Sequence, residues 1–287
     1  MFAKGYYATV KNLLRSKTFW LYMLLFAILV IWESTKVHFA TFNMELQELI
    51  EDIDPRYVLS HRTYYKLFGN IPEMLIKYMH PLFMIFSTVL ILNRDYGDKY
   101  FEIEKACGIR PSVYLLSRVA ALITVGFAVI TIASAAKVHT YVFLRGGVDG
   151  MKPVEYLIDT TVRVLRMSFF KGLPCTVFFV GITYCAGTLF KNGVLASILP
   201  IVYTFAIYFH DMKTAANDGI VLEYLCHYPT KITWFFYDYK VDGRAHAETC
   251  QMFDTSWGTV MLCIAFLCGV AAVGCAVSYF KLRKRTV

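Results

Sequence analysis

The sequence has 287 residues, of which 57% are hydrophobic and 17% are charged, with a mean hydropathy of +0.49. Because soluble globular domains carry about 25% charged residues, this composition excludes an ordinary soluble protein. The net charge of +8 does not indicate nucleic-acid binding, since the lysine and arginine residues flank apolar runs instead of forming one patch. We therefore expect an integral membrane protein that is surrounded by lipid and has no nucleic-acid partner.

The first residues, 1–17, predict a helix that lies in the membrane interface. Phe2, Tyr6 and Val10 recur at helical spacing, while the lysines occupy other positions. A helix with an aromatic face and basic residues is typical of the inner interface of a membrane. No small-residue cleavage site follows the first apolar run, so we expect no removable signal peptide.

Six apolar runs come close to or exceed the length of about 20 residues that a helix needs to cross a bilayer. They do not alternate as the strands of a barrel do, so helices are the expected spanning elements. We expect an all-α integral membrane protein with six transmembrane helices in a single transmembrane domain, residues 1–287. The predicted spans are about 18–35, 74–92, 113–143, 167–190, 193–210 and 257–280.

The distribution of lysine and arginine predicts the orientation of the chain. Six spans place both termini on one membrane face, together with the short connections 93–112 and 191–192, where basic residues are dense. The positive-inside rule makes that face cytoplasmic, so we expect a multi-pass protein with both termini in the cytoplasm. The opposite connections are long and rich in acidic residues: about 36–73, 144–166 and 211–256.

The fourth and fifth predicted spans are joined only by residues 190–193, so the two helices must pack against each other. Small residues let transmembrane helices approach closely. We expect small residues on both helices to allow the close approach of the fourth and fifth spans: Gly181, Ala186, Gly187, Gly193, Ala196 and Ser197.

Charge is unusually dense in 93–112, between the second and third predicted spans. Acidic and basic residues alternate there with tyrosine, phenylalanine and isoleucine. Gly108 followed by Pro111 predicts that one helix ends and another begins, because glycine suits a helix C-terminus and proline a first turn. We expect a short amphipathic cytoplasmic helix that a partner protein could grip. A helix that only lies on the inner leaflet is the alternative.

Ionisable residues near the outer ends of the spans form a second candidate site. Charged groups in a span usually face the bundle interior or a water-filled path, so a cationic collar along a translocation path is one hypothesis. A lysine that reaches out to the interface and a neutral histidine bonded to a neighbouring helix are the simpler interpretations. The members are Lys77, His80, Lys137, His139, Arg166 and Lys171.

The segment 211–256 is the largest predicted extracytoplasmic connection. It is rich in aromatic residues but too interrupted to be a full span, which predicts a re-entrant or interfacial element at the outer leaflet. It contains Cys226 and Cys250, the two cysteines that we expect on that side. A disulfide between them and two separate thiols are both compatible with the spacing.

The sequence lacks the motifs G-x-x-x-x-G-K-[ST], H-E-x-x-H, C-x-x-C and G-x-S-x-G. We therefore expect no catalytic residue, no metal site and no bound cofactor in this chain, and a role other than that of an enzyme. An ion-coupled secondary transporter is one alternative, although it predicts internal repeats and acidic residues deep in the spans. A non-transporting membrane sensor or assembly factor is another.

The layout resembles the permease subunit of type-two ATP-binding-cassette transporters, in their exporter-like branch. Members of this family have an interfacial N-terminal helix, six spans and an outer-leaflet element between the last two spans. Their hallmark is a cytoplasmic helix after the second span, followed by a glycine or proline turn and a basic residue, here Arg118. The resemblance implies that this is a coupling helix that docks on an ATPase subunit through Asp95, Tyr96, Tyr100, Phe101, Glu102, Ile103, Lys105 and Gly108.

The resemblance also implies the partners of the chain. Two copies of a separate ATPase subunit would bind ATP and Mg, and a second permease copy, identical or homologous, would complete the transporter in a bacterial plasma membrane. The short cytoplasmic connections and the aromatic outer segment suit an amphipathic cargo. We expect an exported peptide, such as a toxin, an antimicrobial peptide or a peptide antibiotic.

Overall fold

The computed structural model describes residues 1–35, 79–144, 147–148, 150–212 and 257–284. These residues are almost entirely helical, and a π-helical segment, Ser168–Gly172, joins the sixth helix to the seventh. The helices are α1 (Phe2–Arg15), α2 (Lys17–Thr35), α3 (His80–Gly97), α4 (Tyr100–Ala106), α5 (Pro111–Leu144), α6 (Pro153–Met167), α7 (Leu173–Phe190), α8 (Gly193–Met212) and α9 (Trp257–Lys284).

Three stretches of the described helices are long and apolar enough to cross a membrane: Pro111–Thr140, Pro153–Phe190 and Ile264–Lys284. Two shorter apolar helices are Lys17–Ile28 and Gly193–Phe205. The prediction of a helical fold is therefore confirmed for the described residues, and the three long apolar stretches suggest membrane association. Helices α2, α5, α7, α8 and α9 overlap five of the six predicted spans, whereas α3 covers only 80–92 of the second and continues to Gly97. The number of six spans stays a prediction.

Helix α7 forms the centre of the described bundle. It contacts α3, α5, α8 and α9, and it is apolar on all sides, as a helix with neighbours all round must be. Gly181 and Gly187 permit its closest contacts, but not with the helix that the sequence suggested. A Cβ atom on Gly181 would lie 2.7 Å from Ala271 in α9, and one on Gly187 would lie 2.4 Å from the side chain of Leu92 in α3.

The register of α3 and α5 against α7 is defined by a few close contacts. Helix α3 runs parallel to α7, since His80 lies beside Thr176 and Leu92 beside Gly187. Helix α5 runs antiparallel to α7. A Cβ on Gly126 would lie 2.6 Å from Thr176, whereas one on Gly172, earlier in the chain, would lie 2.9 Å from Ile130, later in α5.

The predicted N-terminal amphipathic helix is present as α1. It packs against the first turns of α5, where a Cβ on Gly5 would lie 2.8 Å from the Ser117 hydroxyl. Thr9 and Leu13 are buried in this contact, whereas Phe2 and Tyr7 are exposed. Two aromatic side chains of α1 are therefore not covered by the rest of the described chain.

Helix α6 occupies part of the connection 144–166 that sequence analysis treated as a loop. Pro153 begins it and Glu155 lies in its first turn, as is typical of a helix N-terminus. The apolar residues Val154, Leu157 and Ile158 recur at helical spacing, which is the signal that could have identified it.

Candidate functional site around Arg118

Helix α4 is held in a defined position by its two ends. Lys99, just before it, has a left-handed backbone with φ of 56°, and Gly108, just after it, has φ of 77°. The Gly108 amide donates to the Lys105 carbonyl at 2.9 Å, and the Ile109 amide donates to the Glu104 carbonyl at 3.1 Å. Glycine adopts this conformation without steric cost, so the predicted helix stop at Gly108 is confirmed.

The inner face of α4 packs on the start of α5. The Phe101 side chain is buried and its ring meets the Tyr114 ring edge to face, with centroids 5.0 Å apart. One turn further, Glu104 Oε1 accepts a hydrogen bond from Arg118 Nη2. An apolar contact and an ion pair therefore fasten α4 to α5.

Arg118 is only 3% exposed, and all three of its guanidinium nitrogens have partners. Nη1 donates to Thr9 Oγ1 at 2.6 Å and to the Gly5 carbonyl at 3.3 Å, which ties α5 to α1. Nη2 bonds Glu104 of α4, and Nε lies 3.5 Å from Asp95 Oδ1 at the end of α3. A planar guanidinium with several donors is suited to such multiple bonding.

Asp95 extends the same network to the centre of the bundle. The hydroxyl of Tyr184, in α7, donates to Asp95 Oδ2 at 3.2 Å. We call Arg118, Asp95, Glu104, Thr9 and Tyr184 the Arg118 cluster. It joins α1, α3, α4, α5 and α7 at the end of the bundle where α3 ends and α5 begins.

Burial governs the charge of the cluster. It raises the pKa of Asp95 from 3.8 to about 6, while the positive charge of Arg118 and the hydrogen bond from Tyr184 act in the opposite direction. The carboxyl group of Asp95 is therefore more easily protonated than that of an ordinary aspartate.

The outer face of α4 is open. Glu102, Ile103 and Lys105 are exposed, and more than half of the Ile103 side chain surface is accessible. An open depression of about 440 Å³ is lined by Phe101, Glu102, Lys105 and Ala106. The surface combines both signs of charge with an apolar side chain, as protein-binding surfaces often do.

The predicted docking residues divide into two groups. Asp95 and Phe101 are buried inside the chain, so they brace α4 and are not surface anchors. Tyr100 is partly buried and accepts a hydrogen bond from Arg94 Nη2 at 3.0 Å. The surface group is Glu102, Ile103, Lys105 and Gly108. Tyr96 is half-buried and packs against the hydrophobic core.

The residues that hold Arg118 from other helices were not identified from the sequence. Glu104 was visible there as one charge among many, and 14 residues and a helix end separate it from Arg118. Thr9 and Tyr184 gave no signal, because an ordinary threonine or tyrosine in an apolar helix carries no mark of its partner. They lie 109 residues from Arg118 and 89 residues from Asp95, respectively.

The residues of the predicted cationic collar lie in different environments. His80 is fully buried, with Nε2 2.7 Å from Thr176 Oγ1, so it bonds a neighbouring helix. Lys137 is buried, His139 Nδ1 lies 2.8 Å from the Tyr156 hydroxyl of α6, and Arg166 is exposed. Lys77 and the side chain of Lys171 lie outside the described residues, and the collar stays a prediction.

Two other predictions concern parts of the chain that the structure does not describe. The aromatic segment after residue 212, with its re-entrant element, is one, and the pairing of Cys226 with Cys250 is the other. Within the described ranges, no group of three or more histidine, cysteine, aspartate or glutamate side chains is arranged to hold a metal ion.

Comparison with known proteins supplies no relative. Neither a protein-family model nor a curated protein matches this sequence. The functional conclusion depends on the geometry around Arg118 and on the layout of the chain.

Proposed function

We propose that this chain is the membrane-spanning permease subunit of an ATP-driven exporter, and that α4 is the helix on which a separate ATPase subunit docks. The observation that carries the proposal is the Arg118 cluster. It fastens a short helix with an open outer face to four other helices of the bundle, α1, α3, α5 and α7. A partner that pushes on α4 would move the ends of α3 and α5 with it.

The outer face of α4 supports a docking role. Glu102 and Lys105 offer charges of both signs, and Ile103 offers an apolar side chain that a cleft could bury. Complementary charges set the partner and its orientation, while a buried apolar side chain contributes most of the affinity. ATP and Mg would be bound by the ATPase subunit, and this chain would supply no catalytic group.

Helix α5 supports the transmission of movement across the membrane. It is continuous over 34 residues, which corresponds to about 51 Å. Arg118 is the eighth residue of this helix, which is separated from the end of α4 by four residues. A displacement of α4 would thus be passed by the Glu104–Arg118 ion pair and the Phe101–Tyr114 contact to a rigid helix that is longer than the bilayer is thick.

The remaining features of the proposal follow the layout. Helices occupy all six predicted span positions, which supports six spans with both termini and α4 in the cytoplasm of a bacterium. Two ATPase subunits and a second permease copy, identical or homologous, complete the proposed transporter. Its proposed cargo is an amphipathic peptide.

The proposal is tested by reversing a charge on the open face of α4. Affinity-tagged chain purified in mild detergent should carry an ATPase, and Glu102→Arg should remove that ATPase and the associated ATP hydrolysis. Glu155→Arg makes the same change at an exposed glutamate of α6 and should leave both unaffected.

Two results would contradict the proposal. One is a chain that exports its cargo without any co-purifying ATPase, which would favour an ion-coupled transporter. The other is an ATPase that co-purifies equally with Glu102→Arg and Glu155→Arg, because docking would then not involve α4. A chain that transports nothing would favour a sensor or assembly factor.

A further inference from the structure

We propose that α6 is a second interfacial helix, which lies in the membrane face opposite to α1 and contacts phospholipid acyl chains through one side. Three observations support this proposal: the division of the α6 surface into sectors, the position of α6 along α5, and the combined length of α6 and α7. The proposal requires only that α5 crosses a bilayer, so it does not depend on the transport function.

The surface of α6 is divided into three sectors that are arranged around the helix axis, each running along the length of the helix. One sector packs against the rest of the chain and contains Thr160, Val164 and Met167, all buried. The second is apolar but exposed; its members are Val154, Leu157, Ile158, Val162 and Leu165, which are 48–67% exposed. The third is charged, with Glu155, Asp159, Arg163 and Arg166.

The charged sector is suited to water and the exposed apolar sector is not. Arg163 Nε bonds both carboxylate oxygens of Asp159, at 2.9 and 3.1 Å, along the charged sector. If the helix were entirely in water, the apolar sector would be exposed to water. If it were entirely among acyl chains, the Asp159–Arg163 ion pair would be in lipid. Only an interface satisfies both sectors, as for other amphipathic helices at membranes.

The distance between α1 and α6 along α5 matches the thickness of a bilayer. Helix α1 contacts α5 at Arg118, and α6 contacts it at His139, through the Tyr156 hydroxyl. These positions are about 21 residues apart, a rise of about 32 Å along a helix. The hydrocarbon core of a membrane is about 30 Å thick, so α1 and α6 lie at its two faces.

The length of the α6–α7 stretch leads to the same conclusion. Pro153–Phe190 comprises 38 residues, or about 57 Å of helix, whereas a bilayer with its headgroups measures about 40–45 Å. This stretch is therefore too long for one untilted crossing, and the proposal assigns its first turns to the interface. The π-helical segment Ser168–Gly172, just before Pro174, separates them from α7.

The test places a tryptophan in each of the two exposed sectors. Leu157→Trp lies in the apolar sector and Glu155→Trp in the charged sector, two residues away, and both variants retain the four native tryptophans. Each full-length variant is reconstituted into vesicles of phosphatidylethanolamine and phosphatidylglycerol. The acyl chains of a second set of vesicles carry bromine near the headgroup.

We expect the brominated lipid to remove most of the fluorescence that Leu157→Trp adds, and aqueous iodide to leave it. The added fluorescence of Glu155→Trp should show the opposite pattern. Iodide quenching of Leu157→Trp would overturn the proposal, as would quenching by neither agent, since another part of the chain or a second copy would then cover the sector. If Leu157→Trp does not fold, as judged by circular dichroism, Ile158→Trp tests the same sector.

Discussion

At the scale of single residues, Arg118 shows how burial and pairing compete. A buried guanidinium without partners would be strongly destabilising, yet each of its nitrogens meets an oxygen of another helix. In the same cluster, two effects act on the pKa of Asp95 in opposite directions. Burial favours its neutral form, and the nearby Arg118 favours its charged form.

This competition predicts a pH dependence that Asp95→Asn should remove. The pKa of Asp95 is 3.8 when unfolded and about 6 when folded, so between these values the folded state binds more protons than the unfolded state. The contribution of Asp95 to stability is therefore present below pH 3.8 and is lost as the pH rises through about 6. Thermal melting in detergent at a series of pH values measures it.

Other carboxylates also titrate in this range, so the informative quantity is the difference between the native chain and the variant. We expect the melting temperature of the native chain to fall relative to that of Asp95→Asn as the pH rises through that window. If the difference in melting temperature does not change with pH, or changes in the opposite direction, then burial does not dominate the pKa of Asp95.

At the scale of elements, local chemistry decided what could be predicted. Gly108 and Pro111 defined where α4 ends and α5 begins, because helix ends depend on the residues at the ends themselves. The apolar residues of α6 also recur at helical spacing, but the acidic residues of 144–166 led to the prediction of a loop. Which helix faces Gly181 was not predictable, since a small residue shows that a close contact exists and not which neighbour makes it.

The contact between α7 and α9 predicts a difference between two glycines. In Gly181→Ala, the new Cβ would lie 2.7 Å from Ala271 of α9, so the helices must separate. In Gly269→Ala, also in α9, the Cβ has no atom within 4 Å and only helix propensity changes. We expect Gly181→Ala to lower stability by about 1–3 kcal/mol and Gly269→Ala to be neutral or stabilising by up to about 1 kcal/mol.

Thermal melting of the two purified variants in the same detergent checks this prediction. Equal melting temperatures for Gly181→Ala and the native chain would mean that α7 and α9 are not in close contact. Far-ultraviolet circular dichroism before melting shows whether both variants contain the native amount of helix.

At the scale of the whole molecule, α5 connects the two ends of the bundle. It meets α1 and α4 through the Arg118 cluster at one end and α6 through His139 at the other. The approximate positions of the long apolar helices could be predicted from the sequence, because apolar length and charge distribution are properties of the chain itself, although the position of α6 was not predicted. The cluster that joins α4 to four other helices could not, because it depends on how distant helices pack.

We propose that movement passes from α4 to the bundle through Glu104 and Arg118. The most direct test is the amount of cargo exported for each ATP hydrolysed by the reconstituted complex, compared between Glu104→Gln and Glu102→Gln. Glu104→Gln leaves the exposed Glu102 and Lys105 intact, so we predict an ATPase that still docks and hydrolyses ATP but exports several-fold less cargo per ATP. Glu102→Gln should retain the native ratio wherever the complex forms. A native ratio of cargo to ATP in Glu104→Gln would show that movement does not pass through the Glu104–Arg118 ion pair.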